Sequence, residues 1–132
     1  MELKGRIISR GIVEAEALTT SQPISFYGGI DPETSEILEK GHELQGKYIN
    51  GKILVFPTGK GSTVGSYTLY RLKMAGKSPA AIVNAQCETI TAVGCIIAEI
   101  PCIDQVDISR LSSGMLVRLD ADLGEINLGE DG

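Results

Sequence analysis

The feature that most constrains the fold is a strand–loop–helix–strand unit in residues 52–83. Its first strand, ILVF, ends at Phe56 and is apolar on both faces, which is typical of a central strand. A glycine-rich loop follows, and the next residues predict a helix from about residue 62 to residue 75. The apolar stretch PAAIV then predicts a second buried strand. Two strands joined by a helix pair in parallel, so the unit predicts an α/β sheet.

The two ends of the predicted helix differ in charge. Gly76 fits the position just past the helix end, where a left-handed backbone conformation is favoured. Arg71 and Lys73 suit the negative end of the helix dipole. The first turn, STVGSY, contains no Asp or Glu, although acidic residues are favoured there.

The rest of the chain predicts mainly short strands. Residues 6 to about 56 are expected to be mostly extended, with turns at 31–32 and 50–51. AVGCIIAEI is ambiguous between a short helix and a strand, and IPCI predicts another strand. A hairpin is expected in GMLVRLDADLGEINL, turning at about residues 122–124. The predicted fold is therefore α/β, with many short strands and one main helix in a single domain spanning residues 1–132.

The charge balance argues against nucleic-acid binding. The net charge is -5, with 17 Asp and Glu against 12 Lys and Arg, and no basic cluster is available for phosphates. No apolar run is long enough to span a bilayer. The amino terminus, MELKGRIISRG, lacks the apolar region of a secretory signal. We therefore expect a cytoplasmic protein without nucleic-acid or membrane partners.

The three cysteines are Cys87, Cys95 and Cys102. An odd number argues against a disulfide framework, and their spacing matches no common zinc or iron–sulfur signature. We expect buried free thiols that pack as small hydrophobic residues, with a redox or ligand role as the alternative.

The loop PTGKGS allows four interpretations. Gly59 and Gly61 could simply permit a tight turn, with Ser62 or Thr63 capping the helix. A nucleotide P-loop is disfavoured because Gly61 separates Lys60 from Ser62. A dinucleotide fingerprint is also disfavoured, since the glycine spacing is one residue too long. The fourth interpretation is a general anion site.

The anion-site interpretation depends on the uncharged helix start. Small residues leave its N–H groups open to a carboxylate or phosphate, and Lys60 adds a positive charge beside them. The same field would stabilise negative charge on the Ser62 hydroxyl oxygen. The single histidine, His42, is expected in a polar connection as a structural residue, so no Ser–His pair is inferred.

Several stretches together resemble a known family. GGIDPETSEI, GHELQG, GKILVFPTGKGSTVGS, AGKSPAAIV and AEIPCID occur in the order seen in the small subunit of aconitase X-type enzymes. The resemblance covers about residues 5 to 128, and the GKGS loop with the following PAAIV strand is its most specific part. It implies a swivelling β/β/α domain like that of aconitases.

The resemblance also implies an activity and a partner. In the family a larger catalytic subunit carries the cysteines that bind a 4Fe–4S cluster, so no metal ligand is expected on this chain. The loop serine, Ser62 here, is the implied base that removes a proton from the substrate. Lys60, Gly61 and Thr63 are the implied substrate-binding neighbours in a heterodimeric hydro-lyase.

Two substrates are implied by different branches of the family. One branch dehydrates (R)-5-phosphomevalonate to trans-anhydromevalonate 5-phosphate in an archaeal-type mevalonate pathway to isoprenoids. The other dehydrates cis-3-hydroxy-L-proline, often as a fused chain. The unfused length and the anion site at Lys60 favour the first, although both substrates carry carboxylates.

Two non-enzymatic alternatives stay open. Swivelling domains also occur as phosphohistidine carriers, but His42 lies outside the loop that such a carrier would use. The chain could also be a structural subunit that only completes its partner. Asn84, Gln86 and Glu88 follow the second strand and could touch a substrate, although polar residues at strand ends are usually solvated.

Overall fold

The computed structural model describes residues 2–128 of the 132-residue chain. The predicted domain bounds, 1–132, extend at both ends outside these described residues. The strands are β1 (Glu2–Lys4), β2 (Arg6–Ser9), β3 (Ile12–Thr19), β4 (Ile24–Ser25), β5 (Ile53–Phe56), β6 (Gly59–Lys60), β7 (Ala81–Asn84), β8 (Cys102–Asp104), β9 (Leu116–Asp120) and β10 (Glu125–Leu128). The helices are α1 (Gly65–Met74) and α2 (Thr89–Ala98), and Ile108–Arg110 forms one 3₁₀ turn. No helix in residues 2–128 is long and apolar enough to cross a membrane.

The eight-stranded sheet has the order β1-β10-β9-β3-β5-β7-β8-β2. Strand β5 pairs in parallel with β3 on one side and with β7 on the other, so it lies inside the sheet. The predicted strand–helix–strand unit is therefore confirmed as β5–α1–β7. The hairpin of β9 and β10 is also confirmed, with Glu125 opposite Asp120.

The long strand β3 connects the two halves of the sheet. Its first part, from Ile12 to Glu16, pairs antiparallel with β9, and its last part, from Ala17 to Thr19, pairs with β5. Side chains of β9 and β10 pack against side chains of β5, β7 and β8, although all belong to one sheet. The sheet must therefore curl, which produces two strand layers.

Successive side chains of the central strands point to opposite faces of the sheet, and each face packs against its own hydrophobic core. Leu54 and Ile82 face a core that they share with both helices. Val55 and Val83 face the second core, formed with β9 and β10. This layer order, strand on strand on helix, is the β/β/α arrangement that the resemblance implied.

Helix α1 begins three residues later than predicted. Its first residue is Gly65, and Val64 is the N-cap residue without any side-chain capping bond. The predicted helix end is confirmed, since Gly76 has φ +71° and Arg71 and Lys73 lie in the last turn. The absence of acidic residues from the first turn is confirmed as well.

The ambiguous stretch AVGCIIAEI is helical up to Ala98, so residues 2–128 contain two helices of ten residues instead of one main helix. Gly94 allows α2 to approach α1 closely, because a Cβ there would meet Leu69 Cδ1 at 2.5 Å. Burial of this contact, in which Leu69 is fully enclosed, outweighs the low helix propensity of the β-branched residues in α2.

The segment between β4 and β5 is mostly turns, so the prediction of extended structure up to residue 56 was wrong there. Only isolated bridges such as Ile30–Ile37 occur. The Asp31 carboxylate accepts the N–H groups of Glu33 and Thr34, which closes a turn instead of extending a strand.

Candidate active site

The loop of residues 57–64 connects the carboxyl end of β5 to the start of α1. It is anchored near its middle by a two-stranded parallel pairing. In this pairing Gly59 lies opposite Ile24, and Lys60 lies opposite Ser25. Gly61 has φ +96°, and a Cβ there would meet Ser25 Oγ at 2.5 Å. Glycine at 61 is therefore required by both conformation and space.

Ser62 is exposed at the tip of this loop. Its Oγ accepts a hydrogen bond from the Val64 N–H at 3.2 Å, and its carbonyl oxygen accepts the Gly65 N–H at 2.9 Å. Within residues 2–128, this N–H group is the one partner of the Ser62 hydroxyl. The hydroxyl oxygen thus has a backbone donor and an open approach from solvent.

The loop just before α1 presents free backbone donors beside this hydroxyl. The first turn of α1 does not, because its Gly65 and Ser66 N–H groups already bond carbonyl oxygens of the loop. Across the described residues, no acceptor meets the N–H groups of Ser62 and Thr63. Thr63 is exposed, and its carbonyl oxygen accepts the Ser66 N–H at 3.3 Å. With no acidic side chain in the first turn, the positive end of the helix dipole remains uncompensated by α1 itself.

Lys60 carries the positive charge of the loop, and it is paired. Its Nζ lies 2.9 Å from Oε2 of Glu39, with the two side chains 48% and 30% exposed. An exposed ion pair of this kind contributes only about 0–1 kcal/mol. An incoming anion could therefore replace Glu39 at Lys60 at little cost.

An open cavity of about 360 Å³ adjoins this ion pair. Lys60 and Gly61 line it, whereas Ser62 and Thr63 do not. The remaining lining residues are Ser25, Tyr27, Gly28, Gly29 and Glu39. The four predicted site residues thus lie on one loop, with the cavity on the side of Lys60.

His42 is a structural residue, as expected. It is buried, its Nδ1 accepts the Leu44 N–H at 3.1 Å, and its Nε2 lies 3.1 Å from the Pro23 carbonyl oxygen. Because Nδ1 is an acceptor, Nε2 carries the proton and donates to Pro23. With both ring nitrogens engaged, His42 is unsuited to carry a phosphoryl group.

The three cysteines are free thiols, as predicted, with Cys95 and Cys102 buried and Cys87 half-buried. A hydrogen bond with Cys102, together with burial, raises the pKa of Cys87 far above its usual range. The hydrogen bond with Cys87 lowers the pKa of Cys102, but contact with Cys95 and burial outweigh it and raise that pKa overall. These two thiols are therefore protonated at neutral pH.

The loop, the layer order and the sequence stretches can now be compared with known proteins. The model of one protein family, the aconitase X swivel domain, matches residues 2–128. This chain belongs to the aconitase X swivel domain family. The predicted family and fold class are therefore both confirmed.

Two curated relatives of this swivel domain share a name. A protein of Thermococcus kodakarensis named phosphomevalonate dehydratase small subunit is 52% identical over 132 residues, which is 100% of this chain and 99% of the relative. A protein of the same name from Methanosarcina acetivorans is 50% identical over 131 residues, covering 97% of this chain and 91% of the relative.

Solved structures agree with the aconitase X swivel fold. The crystal structure of Thermococcus kodakaraensis aconitase X in its holo-form superposes with a TM-score of 0.97 at 51% identity, covering 98% of this chain and 99% of that one. A solution NMR structure gives a TM-score of 0.90 at 46% identity, covering 98% and 100%.

The contacts of two acidic residues near the loop were not predicted from the sequence of this swivel domain, although Glu88 was named as a residue that could touch a substrate. Glu39 pairs with Lys60 across 21 positions of chain, and no local pattern indicates such a contact. Glu88 caps α2, but glutamate is not among the residues preferred at that position. Both contacts depend on how distant segments pack.

Proposed function

We propose that this chain is the small subunit of a two-subunit hydro-lyase that dehydrates (R)-5-phosphomevalonate to trans-anhydromevalonate 5-phosphate. The observation that carries the proposal is 52% identity, over 100% of this chain, to a relative named phosphomevalonate dehydratase small subunit. The match also covers 99% of the relative. The partner of this chain would be a large catalytic subunit.

Ser62 is the proposed proton acceptor. The Val64 N–H donates to its Oγ at 3.2 Å, and the free backbone N–H groups of residues 62 and 63 lie beside it. Both features favour negative charge on that oxygen, which lowers the cost of forming an alkoxide. In the reaction Ser62 Oγ, as an alkoxide, would remove a proton from a substrate carbon as the neighbouring C–O bond breaks and releases hydroxide. Passing this proton from Ser62 Oγ to the hydroxide would form water and restore the alkoxide.

Lys60, Gly61 and Thr63 are the proposed substrate-binding residues. The Lys60 ammonium would bind a carboxylate or phosphate after displacing the exposed Glu39. The free backbone N–H groups of Ser62 and Thr63 supply further donors for anionic oxygen. The absence of a side chain at Gly61 keeps the backbone accessible between these two groups.

The proposal assigns the 4Fe–4S cluster of the complex to the large subunit. Iron–sulfur clusters require cysteine thiolates as ligands. The chain contains three cysteines, and the hydrogen bonds and burial that raise the pKa of Cys87 and Cys102 keep these thiols protonated. In residues 2–128 no group of His, Cys, Asp and Glu is arranged to hold a metal ion. These residues do not fit the cluster.

The proposal is tested by reconstitution with a large subunit from the same source under anaerobic conditions. The complex is supplied separately with (R)-5-phosphomevalonate and cis-3-hydroxy-L-proline, and the dehydrated products are measured. We expect turnover of the first substrate alone, and none by either separated subunit. Turnover of hydroxyproline but not phosphomevalonate would reject the proposed substrate while leaving the reaction class intact.

A further inference from the structure

The segment of residues 84–91, which joins β7 to α2, supports the base of the loop that carries Ser62. The Phe56 carbonyl oxygen accepts a hydrogen bond from Asn84 Nδ2 at 2.9 Å, and Asn84 is fully buried. The next carbonyl oxygen, of Pro57, accepts the Gln86 N–H at 3.0 Å. The point where the loop leaves the sheet is therefore fixed by the chain that leaves the neighbouring strand.

Glu88 also belongs to this segment, and it contacts the next part of the loop, at Gly59. Its carboxylate accepts the N–H groups of Ile90 and Thr91, each at 2.7 Å, and the Thr91 hydroxyl at 2.5 Å. A Cβ added to Gly59 would collide with Glu88 Oε1 and with Thr91 Oγ1. Gly59 is buried, so its backbone rests directly on the carboxylate and hydroxyl that cap α2.

The far end of the loop is attached to the same segment. Ser66, in the first turn of α1, donates its hydroxyl to the Ile90 carbonyl oxygen at 2.6 Å. A Cβ at Gly65 would lie 3.2 Å from the Ile90 side chain. Both ends of the loop thus rest on residues 84–91, and only its exposed middle, which contains Ser62, lacks such contacts.

The residue that caps α2 is a glutamate, Glu88, although shorter side chains usually occupy this position. Ser, Thr, Asp and Asn are the preferred N-cap residues, and Asp would accept the same amide groups. Glutamate has one more methylene group, so its carboxylate bonds these α2 amide groups while lying further from the backbone of residue 88. Here that extra reach brings Oε1 against Gly59. Capping alone therefore does not explain the length of this side chain.

We propose that Glu88 is a positioning residue for Ser62, acting through Gly59 to set how far the loop stands above the sheet. Its catalytic consequence depends on the proposed role of Ser62, whereas its effect on the loop does not. A displacement of about 1 Å at a reacting group can lower a rate by about a hundredfold. No space for even a Cβ remains between Gly59 and the Glu88 carboxylate, so a shift of this carboxylate should shift the loop.

The test uses Glu88→Asp, which keeps the charge and the cap but withdraws the carboxylate from Gly59. In the full small subunit, backbone NMR order parameters of residues 60–64 should fall from about 0.85 to below about 0.6. The melting temperature should stay within about 2 °C, because the α2 cap is retained. Asp107→Asn, which alters a similar cap at the 3₁₀ turn, should leave residues 60–64 unchanged.

The reconstituted complex supplies the catalytic measurement. Glu88→Asp should lower kcat about tenfold or more. KM should rise less than kcat falls, since the backbone pairing of Lys60 with Ser25 does not involve Glu88. Gly59→Ala changes the other partner of the same contact, because the added methyl group would push the loop away from Glu88. It should also lower kcat, and it serves as the second variant if Glu88→Asp does not fold.

Two results would overturn the proposal. One is an ordered loop and an unchanged kcat in Glu88→Asp. The other is a fall in melting temperature above about 5 °C with loss of order throughout α2, which would assign Glu88 a structural role alone. A wild-type complex without dehydratase activity would reject the proposed function instead, and the order parameters would still decide whether Glu88 holds the loop.

Discussion

The Nζ atom of Lys60 lies 2.9 Å from Oε2 of Glu39, so the cation beside Ser62 already has an anionic partner in the isolated chain. Both side chains remain partly exposed, and water weakens their attraction. Glu39 therefore acts as a weak competitor for any anion that approaches Lys60. This relationship leads to a prediction about substrate affinity.

Replacing Glu39 with Gln should lower KM for the anionic substrate about two- to fivefold, because Lys60 no longer has to give up a counterion. The kcat should stay within about twofold, since Glu39 makes no contact with Ser62 that would affect proton transfer. Steady-state kinetics of the reconstituted complex measure both values.

Glu16→Gln provides the matched control, because Glu16 forms a similar exposed pair with Lys52 at 2.7 Å. It removes the same charge away from the loop, and KM should stay at the wild-type value. A higher KM in Glu39→Gln would contradict the competition and indicate that Glu39 orients Lys60 for binding.

Ser62→Ala should lower kcat by about 10²- to 10⁴-fold, which is the usual contribution of a positioned general base. KM should change little, because Lys60 and the free backbone N–H groups of residues 62 and 63 remain. The rates are measured in the reconstituted complex, with Ser112→Ala as a control that removes another exposed serine hydroxyl. A Ser62→Ala enzyme within a few-fold of wild type would remove Ser62 from the mechanism.

Local patterns were sufficient to predict the centre of the fold. Strand β5 is apolar on both faces, and the structure buries all four of its residues. The end of α1 followed from Gly76, whose positive φ few other residues adopt readily. The start of α1 was placed wrongly at residue 62, because the Ser62 hydroxyl bonds the Val64 N–H in a turn before the helix.

Contacts between distant segments could not be predicted in the same way. The α2 sequence is rich in β-branched residues, and its helical form depends on packing of Gly94 against Leu69. For the site, the loop and its serine were recognisable from sequence, whereas the support of Gly59 by Glu88 joins residues 29 positions apart. The spacing of polar and apolar residues along the chain does not indicate that two such distant residues are in contact.

The raised pKa of Cys87 predicts how stability depends on alkaline pH. The hydrogen bond with Cys102 and burial keep the Cys87 thiol protonated in the folded chain, whereas in the unfolded chain it titrates near its ordinary value of 9.0. Above that pH the folded state binds more protons than the unfolded state. The contribution of Cys87 to the free energy of unfolding should therefore be complete below pH 9 and fall above it, by less than the limit of about 1.4 kcal/mol per pH unit because the half-buried thiol is partly solvated.

Cys87→Ala removes this titration and should make the decline above pH 9 less steep than in the wild type. Denaturant unfolding with a reductant, at half-unit steps from pH 7.5 to pH 10.5, measures both curves. The two proteins differ at residue 87 alone, so the difference between the slopes reports Cys87 together with its hydrogen-bond partner Cys102. Parallel curves across this range would mean that Cys87 ionises as readily in the folded chain as in the unfolded one, which its contact with Cys102 argues against.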